Sequence, residues 1–583
     1  MKRMNFKLLS FGVLAVLVLT SCSSLKKMKK NANQISYQVV PEVLETHAGY
    51  VPVTIQGNFP AKYFNKKVKL TAVPTLSYKN GETEYESVTL QGEKVKDNAQ
   101  VISFDNGGSF SFKGKVPFKE DMRKSDLDIN IQVSKGNRSL NFEPYKIADG
   151  VIATATMVVV DPKAIIGVQR EENTTGKYDP NIDAFQRIVP DEYTGNINYL
   201  INSAVVRNSE LKKAEIEQLK EYTKEAYDNQ KKELKSVDIS AYASPDGKLD
   251  FNTKLSEKRQ NTSSKYIKKS LDKASVEAQL NTKFTPEDWE GFKELMEKSN
   301  IQDKDLILRV LSMYSDPEVR EREIKNIAEA YTVLAEQILP QLRRAKVTAN
   351  VDLIGKSDEE IASMAESNPS SLNPAELLYA ATLTKNLNKK LSIYKSFSKV
   401  YPNDWRGYNN YGMVLTQQNK YNEAKSYFEK AEKLSNNNPI IKNNLGTVAL
   451  YEGDNASAAE YFGAASGAGE EVNYNLGILA IKNAEYDKAV QLLSNFDSSN
   501  TGLAKMLDND NTGALKSLEN LSEDTAVAEY LRAVVAARTA KEDMMISCLS
   551  KAISMDSSLK AKAATDAEFI KYANNAKFME IVK

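Results

Sequence analysis

Between residues 35 and 168 apolar and polar positions alternate in short runs. Val51-Pro-Val-Thr-Ile-Gln, Val68-Lys-Leu-Thr-Ala-Val, Ser109-Phe-Ser-Phe-Lys and Leu127-Asp-Ile-Asn-Ile-Gln-Val each follow a period of two. That period sets one face of a strand on a core and the other in water. Turn signals separate the runs: Lys79-Asn80-Gly81, Asp105-Asn106-Gly107-Gly108 and Lys135-Gly136-Asn137. Asn and Gly accept the left-handed backbone that tight hairpins need. Several short strands at this spacing predict an antiparallel β-sandwich over 35–168. Ile152-Ala-Thr-Ala-Thr-Met-Val-Val-Val is the expected closing strand.

From about Asn196 the pattern lengthens. Residues 197–206 read as a strand, and Ser209 is placed to cap a charged amphipathic helix from Glu210 to about Lys232. Val237-Asp-Ile-Ser-Ala-Tyr-Ala reads as a second strand, Ser244-Pro245-Asp246-Gly247 as a turn, and 252–271 as a second helix. Strand, helix, strand, helix predicts an α/β layer. Residues 272–325 are rich in helix formers, with Thr285 a suitable N-cap and Pro286 suited to the first helical position. The stretch after Ile338 reads as a helix end leading into a last strand, and Trp289 as a packing anchor.

The segment from Ala241 to Arg259 carries Asn252-x-x-Leu255-Ser256-x-x-Arg259. It resembles the signature of OmpA-like peptidoglycan-binding domains, which implies that fold over 182–356 with a helical insertion at 272–325. The Trp-containing insertion and the exit Pro340-x-Leu342-Arg343-Arg344-Ala345 are similar to OmpA-like proteins of Bacteroidota. In the family an Asp after the strand and the Arg of the motif hold the diaminopimelate of the wall peptide. An ammonium and a carboxylate there face a carboxylate and a guanidinium. Arg259 matches the family Arg and Asn252 the helix-opening Asn. The family Asp position is Ser244, with Asp246 two residues later, and Gln260 stands where Ala is usual. Peptidoglycan binding and a purely structural Arg259 both stay open.

From residue 370 the chain repeats. Gly412, Ala424, Phe428 and Ala431 recur as Gly446, Ala458, Phe462 and Ala465, an offset of 34. A third copy has Gly477, Ala489 and Leu493 at an offset of 31. Weaker copies precede, at Tyr394, Phe397 and Pro402, and follow, at Tyr530, Ala533, Met545, Leu549 and Ala552. The period and the small and large positions resemble tetratricopeptide (TPR) repeats, which implies an α-solenoid over 370–583. The resemblance implies a concave face that holds extended peptides or helices of protein partners. Asn409, Asn410, Asn443, Asn444, Asn473 and Asn475 crowd the first helices. Their amides suit either a partner's backbone or ordinary polar surface. Cys548, beside the packing position Leu549, reads as a buried, inert thiol, and the stretch 566–582 as a last cap.

At the N-terminus Lys2, Arg3 and Lys7 precede a run from Leu8 to Leu19 without a charge. The run suits a signal peptide and is short for a membrane span. Leu19-Thr20-Ser21-Cys22 resembles a bacterial lipobox. That implies a signal peptide over 1–21 and acylation of Cys22. Ser23, rather than Asp, implies the outer membrane. The basic stretch 22–34, with lysines at 26, 27, 29 and 30, reads as a spacer on the periplasmic face. Those lysines either meet anionic headgroups or are simply solvated.

Composition narrows the chemistry. Lys+Arg is 78 and Asp+Glu 77, a net +1, which excludes a strongly basic nucleic-acid binder. One histidine, His47, and two cysteines leave zinc sites, Ser-His-Asp triads and Cys-His dyads without their parts. No metal or cofactor is expected, and His47 reads as structural. The expected protein is a non-catalytic, periplasm-facing outer-membrane lipoprotein that acts as a tether. Lipid holds Cys22, the OmpA-like module meets the wall, and the solenoid recruits proteins. The alternative is a subunit of an envelope secretion or assembly machine without wall binding. A remote third is a glycan hydrolase with paired carboxylates.

Overall fold

The alternating runs near the N-terminus are strands in the computed structural model, which describes residues 24–167, 185–301 and 303–583. Tyr50–Phe59 turns Val51, Val53, Ile55 and Phe59 inward, and Ser125–Lys135 does so with Leu127, Ile129, Ile131 and Val133. Ser36–Val40, Tyr50–Phe59 and Gly108–Pro117 form one antiparallel sheet in that order. The second sheet runs Val43–Glu45, Tyr145–Ile152, Ser125–Lys135, Lys69–Tyr78, Val88–Gly92 and Gln100–Ile102. Its outermost pairs are parallel, so this β-rich region is mixed rather than wholly antiparallel. Both sheets share one hydrophobic core.

Two sequence expectations are corrected here. Residues 24–30 are helical and enter that core through Leu25 and Met28, with the Tyr63 hydroxyl donating to the Met28 carbonyl at 2.9 Å. Residues 24–34, read above as part of a spacer, therefore already belong to the described fold. Leu25 and Met28 are three apart on one helix face, which leaves the lysines at 26, 27 and 30 exposed. Cys22 and the apolar run before it lie outside the described residues. The second correction is the closing strand. The last strand ends at Ile152, Thr154–Met157 is a 3₁₀ turn, and 158–167 runs extended with no strand beside it.

The β-rich region and the helices from 386 to 583 belong to one compact unit, and residues 185–385 lie in another. In the first unit, five helix pairs follow one another among the described residues. They are Trp405–Gln417 with Tyr421–Leu434, Pro439–Tyr451 with Asn455–Ala464, Glu471–Lys482 with Tyr486–Leu492, Ser499–Leu507 with Asn511–Glu519, and Ala526–Arg538 with Glu542–Met555. Asp404, Asn438, Ser498 and Thr525 cap the first helices with side-chain oxygens. Gly412, Gly446 and Gly477 are where the two helices of a pair touch. A Cβ there would stand 2.8 Å from the Phe428 ring, 2.6 Å from the Phe462 ring and 2.5 Å from Leu493. Ala424, Ala458 and Ala489 are fully buried in the facing helices.

Gly502 meets Leu518 in the same way, at 2.5 Å. This pair escaped the periodicity because its helices are short: Gly502 follows Gly477 by 25 residues, not 34. The repeats open with the helix Leu387–Val400 instead of at 370, since Asp358–Ser367 and Pro374–Ala380 belong to the other unit.

That other unit has a sheet in the order Ile188–Asn198, Arg344–Ile354, Lys232–Tyr242, Leu280–Thr285. The first three strands are antiparallel and the last pair is parallel, joined by the helix Leu249–Ala274. Helices Ala214–Asp228 and Leu249–Ala274 share a core with Val237, Ile239 and Val347. The first strand stops at Asn198, and Leu200, Ile201 and Val205 lie exposed in the loop beyond it. The helix expected over 210–232 is two helices, Asn208–Leu211 and Ala214–Asp228, and Lys232 opens the next strand. Part of the expected insertion is the fourth strand. The rest runs as short helices from Trp289 to Leu342 around Phe292, Met296, Ile307, Leu334 and Leu342. Asp288 caps the first of these, accepting from the Gly291 N–H at 2.9 Å, while Thr285 ends the strand.

Candidate functional site

Asparagine is costly to bury, because its amide carries two donors and an acceptor oxygen that must all be satisfied. Asn409, Asn410, Asn443, Asn444 and Asn475 are nevertheless 0% exposed and Asn500 is 1%. Asn410, Asn444, Asn475 and Asn500 stand two residues before Gly412, Gly446, Gly477 and Gly502, so each repeats one position on the first helix of its pair. Stacking of the pairs lines the four amides into a ladder.

Their partner is the extended segment 158–167. The Asn410 amide accepts from the Gly167 N–H at 2.6 Å and donates to the Gly167 carbonyl at 3.1 Å. Asn444 does the same with Ile165, at 2.7 Å for both bonds. Asn475 reads Lys163 at 2.6 and 2.9 Å, and Asn500 reads Val159 at 2.9 and 2.8 Å. A side-chain amide is chemically a peptide group, so the ladder acts as a strand neighbour built from side chains. Reading falls on alternate residues because an extended chain presents the same edge at every second position. Position 161 is held differently: the Tyr474 hydroxyl donates to both Asp161 oxygens at 2.8 and 2.9 Å, and Asn500 adds a bond at 3.2 Å.

A second row braces the first. Asn409 donates to the Ile165 carbonyl and to Asn410, and Asn443 to the Lys163 carbonyl and to Asn444. Asn444 in turn donates to Asn409, and Asn475 to Asn443, both at 2.9 Å. The bracing runs through the first three repeats, and at the fourth Asn500 lies 3.4 Å from the Tyr474 hydroxyl instead. Burial pushes the Asp161 carboxyl up, opposed by its bond from Tyr474 and by Lys163, and burial also pushes the Tyr474 hydroxyl up. The Lys163 ammonium sits 4.6 Å from the centre of the Tyr474 ring.

The asparagines thus bind backbone, and the backbone is this chain's own. Asn473 is exposed and outside the ladder. Asn500, Tyr474 and Asp161 escaped the sequence reading, although Asn-x-Gly recurs in four of the five pairs and marks the ladder residue. His47 ties the β-rich region to the repeats a second time, its Nδ1 lying 2.7 Å from the Tyr486 hydroxyl. Burial pushes the Cys548 thiol up to about 11. Below pH 9 its alkylation by iodoacetamide should run about 100-fold slower than that of a free thiol, a rate readable by mass spectrometry.

The four residues matched to the wall-binding motif surround one loop of the other unit. Asn252, buried, donates to the carbonyls of Ser244 and Gly247 at 3.0 and 3.1 Å and fixes the turn. The Ser244 hydroxyl donates to Asp246, and Arg343 donates to Ser244 Oγ and to Asp246 Oδ2, each at 3.3 Å. Arg259 is 1% exposed. Its guanidinium donates to the carbonyls of Ser203, Tyr242 and Leu200 at 2.9, 2.8 and 3.2 Å. Burial lowers its pKa to about 10. Arg259 and Asp246 therefore spend their charge on the chain's own groups and not on each other. Arg259→Ala should cost the unit about 3 kcal/mol by leaving three part-buried carbonyls without their donor and a cavity where the buried side chain stood, seen as a lower midpoint in urea. Arg259→Lys should recover only part, lacking the planar fork.

Among the described residues no group of three or more His, Cys, Asp or Glu is placed to hold a metal ion. No described helix is long and apolar enough to cross a membrane.

A family model for the tetratricopeptide repeat matches residues 406–438, which contain the pair bearing Asn410 and Gly412. Among solved structures, a tetratricopeptide repeat protein of Parabacteroides merdae is 16% identical over 39% of this chain and 90% of its own, with a TM-score of 0.28. PilF of Pseudomonas aeruginosa is 14% identical over 35% of this chain and 95% of its own, TM-score 0.28. Yeast Tom70 is 14% identical over 57% of this chain and 85% of its own, TM-score 0.25. No curated protein matches. The solenoid is established by its own packing and by the repeat model, and TPR repeats point to a protein-interaction scaffold.

Proposed function

We propose that the chain is a non-catalytic interaction scaffold, anchored by lipid on Cys22 to the periplasmic face of the outer membrane. The observation that carries the scaffold reading is the asparagine ladder, a surface whose buried polar groups are matched to extended polypeptide. TPR relatives are typically scaffolds rather than enzymes. The lipobox-like Leu19-Thr20-Ser21-Cys22 supports the anchor. Residue 24 already belongs to the folded β-rich region, so acyl chains on Cys22 would hold that region within about 7 Å of the headgroups. Cys22→Ala should release the protein from membranes, and unchanged retention would overturn the anchor.

The second unit we read as an OmpA-like module. Its parallel strand pair joined by the helix bearing Asn252 and Arg259 supports this. Within it we place protein contact ahead of peptidoglycan, as in a subunit of an envelope secretion or assembly machine. Arg343 stands on Asp246 and Ser244, where the resemblance expects the wall peptide's ammonium. Arg259, where it expects the carboxylate's partner, is occupied by carbonyls. The test is a pull-down from cross-linked envelopes beside sedimentation with purified sacculi. Recovered proteins without sacculus binding are expected. Sacculus binding lost in Arg259→Ala would restore the wall reading.

A further inference from the structure

The ladder grips its occupant chiefly through the backbone. Val159, Lys163, Ile165 and Gly167 are each read at both N–H and carbonyl, groups that any extended polypeptide presents. Few side-chain features are engaged. Asp161 accepts from Tyr474, Lys163 lies over the Tyr474 ring, and Ile165 is buried at 2% exposure. A Cβ on Gly167 would stand 2.7 Å from the Trp405 ring, so that place requires glycine. Val158 and Val160 also pack against the repeats, and the resident is in addition tethered to the β-rich region through Thr154–Met157. A tether raises the local concentration to the order of mM without adding a contact.

We propose that this groove is a binding site for an extended segment of a second protein, and that 159–167 is a resident competitor which that segment must displace. The inference deepens the scaffold reading and rests on it. The same amide cannot serve two backbones, so the two occupants exclude each other. The chemistry of the resident describes the visitor. It is an extended stretch with a carboxylate, a cation two residues on, a branched apolar residue two further and a glycine two beyond that. Proline is excluded at the read positions and allowed between them, as Pro162 is here. While the resident is docked, the apparent affinity for a visitor falls by the fraction of time the groove is open.

The probe is a fluorescent peptide with the sequence from Thr156 to Gly167, titrated into the full chain. In the variant Lys163→Pro/Ile165→Pro the resident loses two of the N–H groups the ladder reads, while every ladder asparagine remains. This variant should bind the peptide at least 10-fold more tightly than wild type. Adding Asn444→Ala should then weaken binding at least 10-fold. Equal affinity of wild type and variant overturns the proposal. So does absence of binding by a variant that keeps the wild-type helical circular dichroism and still unfolds in one cooperative transition, whatever its midpoint. Should the proline variant not fold, hydrogen exchange on wild type decides. The amides of Lys163, Ile165 and Gly167 should exchange at least 10-fold faster than those of Leu479 and Ile481, and equal protection overturns it. Envelope partners that excess peptide cannot compete away would sink the proposal and leave the scaffold reading standing. Chain dimers that the peptide dissolves would assign the groove to a second copy and equally overturn it.

Discussion

Asn444→Ala is expected to destabilise the unit formed by the β-rich region and the repeats by about 3–5 kcal/mol. The Asn444 amide is fully buried and makes four hydrogen bonds: from the Ile165 N–H and from Asn443, to the Ile165 carbonyl and to Asn409. Removing it strands polar groups on both sides of the groove, where water has little access to replace it. A single neutral hydrogen bond lost at a surface costs about 1 kcal/mol, so the size of the effect separates a ladder rung from ordinary polar decoration. Asn473→Ala, at an exposed position in a neighbouring repeat, is the control and should change stability by less than about 0.5 kcal/mol. Urea unfolding followed by circular dichroism reads both. Asn444→Asp should be nearly as damaging as Asn444→Ala, because it keeps the acceptors, loses both donors and buries a charge.

Gly446→Leu is expected to cost about 3 kcal/mol or more. Even the first side-chain carbon would lie 2.6 Å from the Phe462 ring, and the ring is buried with no room to retreat. The helix Pro439–Tyr451 must move away from Asn455–Ala464, and it carries Asn444 two residues before the glycine. The strain therefore reaches the ladder as well as the core. Gly446→Leu/Phe462→Ala, which returns volume at the point of contact, should regain part of the loss. Gly463→Leu, in the same pair but with open space where the side chain would go, should cost little by overpacking. Thermal melting distinguishes the three. A melting temperature unchanged in Gly446→Leu would mean that the helices do not touch at that residue.

The repeats were legible because packing writes itself into sequence directly. A glycine against an aromatic ring, repeated at 34 residues, fixes both the helix pair and its register. The fourth pair was lost when shorter helices moved Gly502 out of phase, although Asn500 and Gly502 keep the local Asn-x-Gly pattern. The strands at 50–59 and 125–135 were legible from their period of two for the same reason. That period misled at 152–160, where Thr154–Met157 is a 3₁₀ turn and only the residues after it run extended, since alternation says nothing of what lies beside a segment. There the neighbour is a row of asparagines about 250 to 340 residues later in the chain. In the other unit the motif positions of Asn252 and Arg259 were visible, but not the groups they serve. Arg259 faces carbonyls of a loop whose exposed Leu200 and Val205 made it look like a strand. Arg343 arrives at Asp246 from the far end of the helical insertion.

The central claim is that the segment 158–167 is held in the groove by the ladder, and a double-mutant cycle between the two tests it most directly. Lys163→Pro removes the N–H that Asn475 accepts at 2.6 Å, and the loss of its ammonium from the Tyr474 ring does not involve Asn475 and so cancels in the cycle. Asn475→Ala removes the acceptor. Measured by urea unfolding of the full chain, the two losses should fall short of additivity by about 1–2 kcal/mol, because the second substitution breaks a bond the first has already broken. Losses that add to within about 0.5 kcal/mol would mean that Lys163 and Asn475 do not meet, and the segment would not lie in the groove.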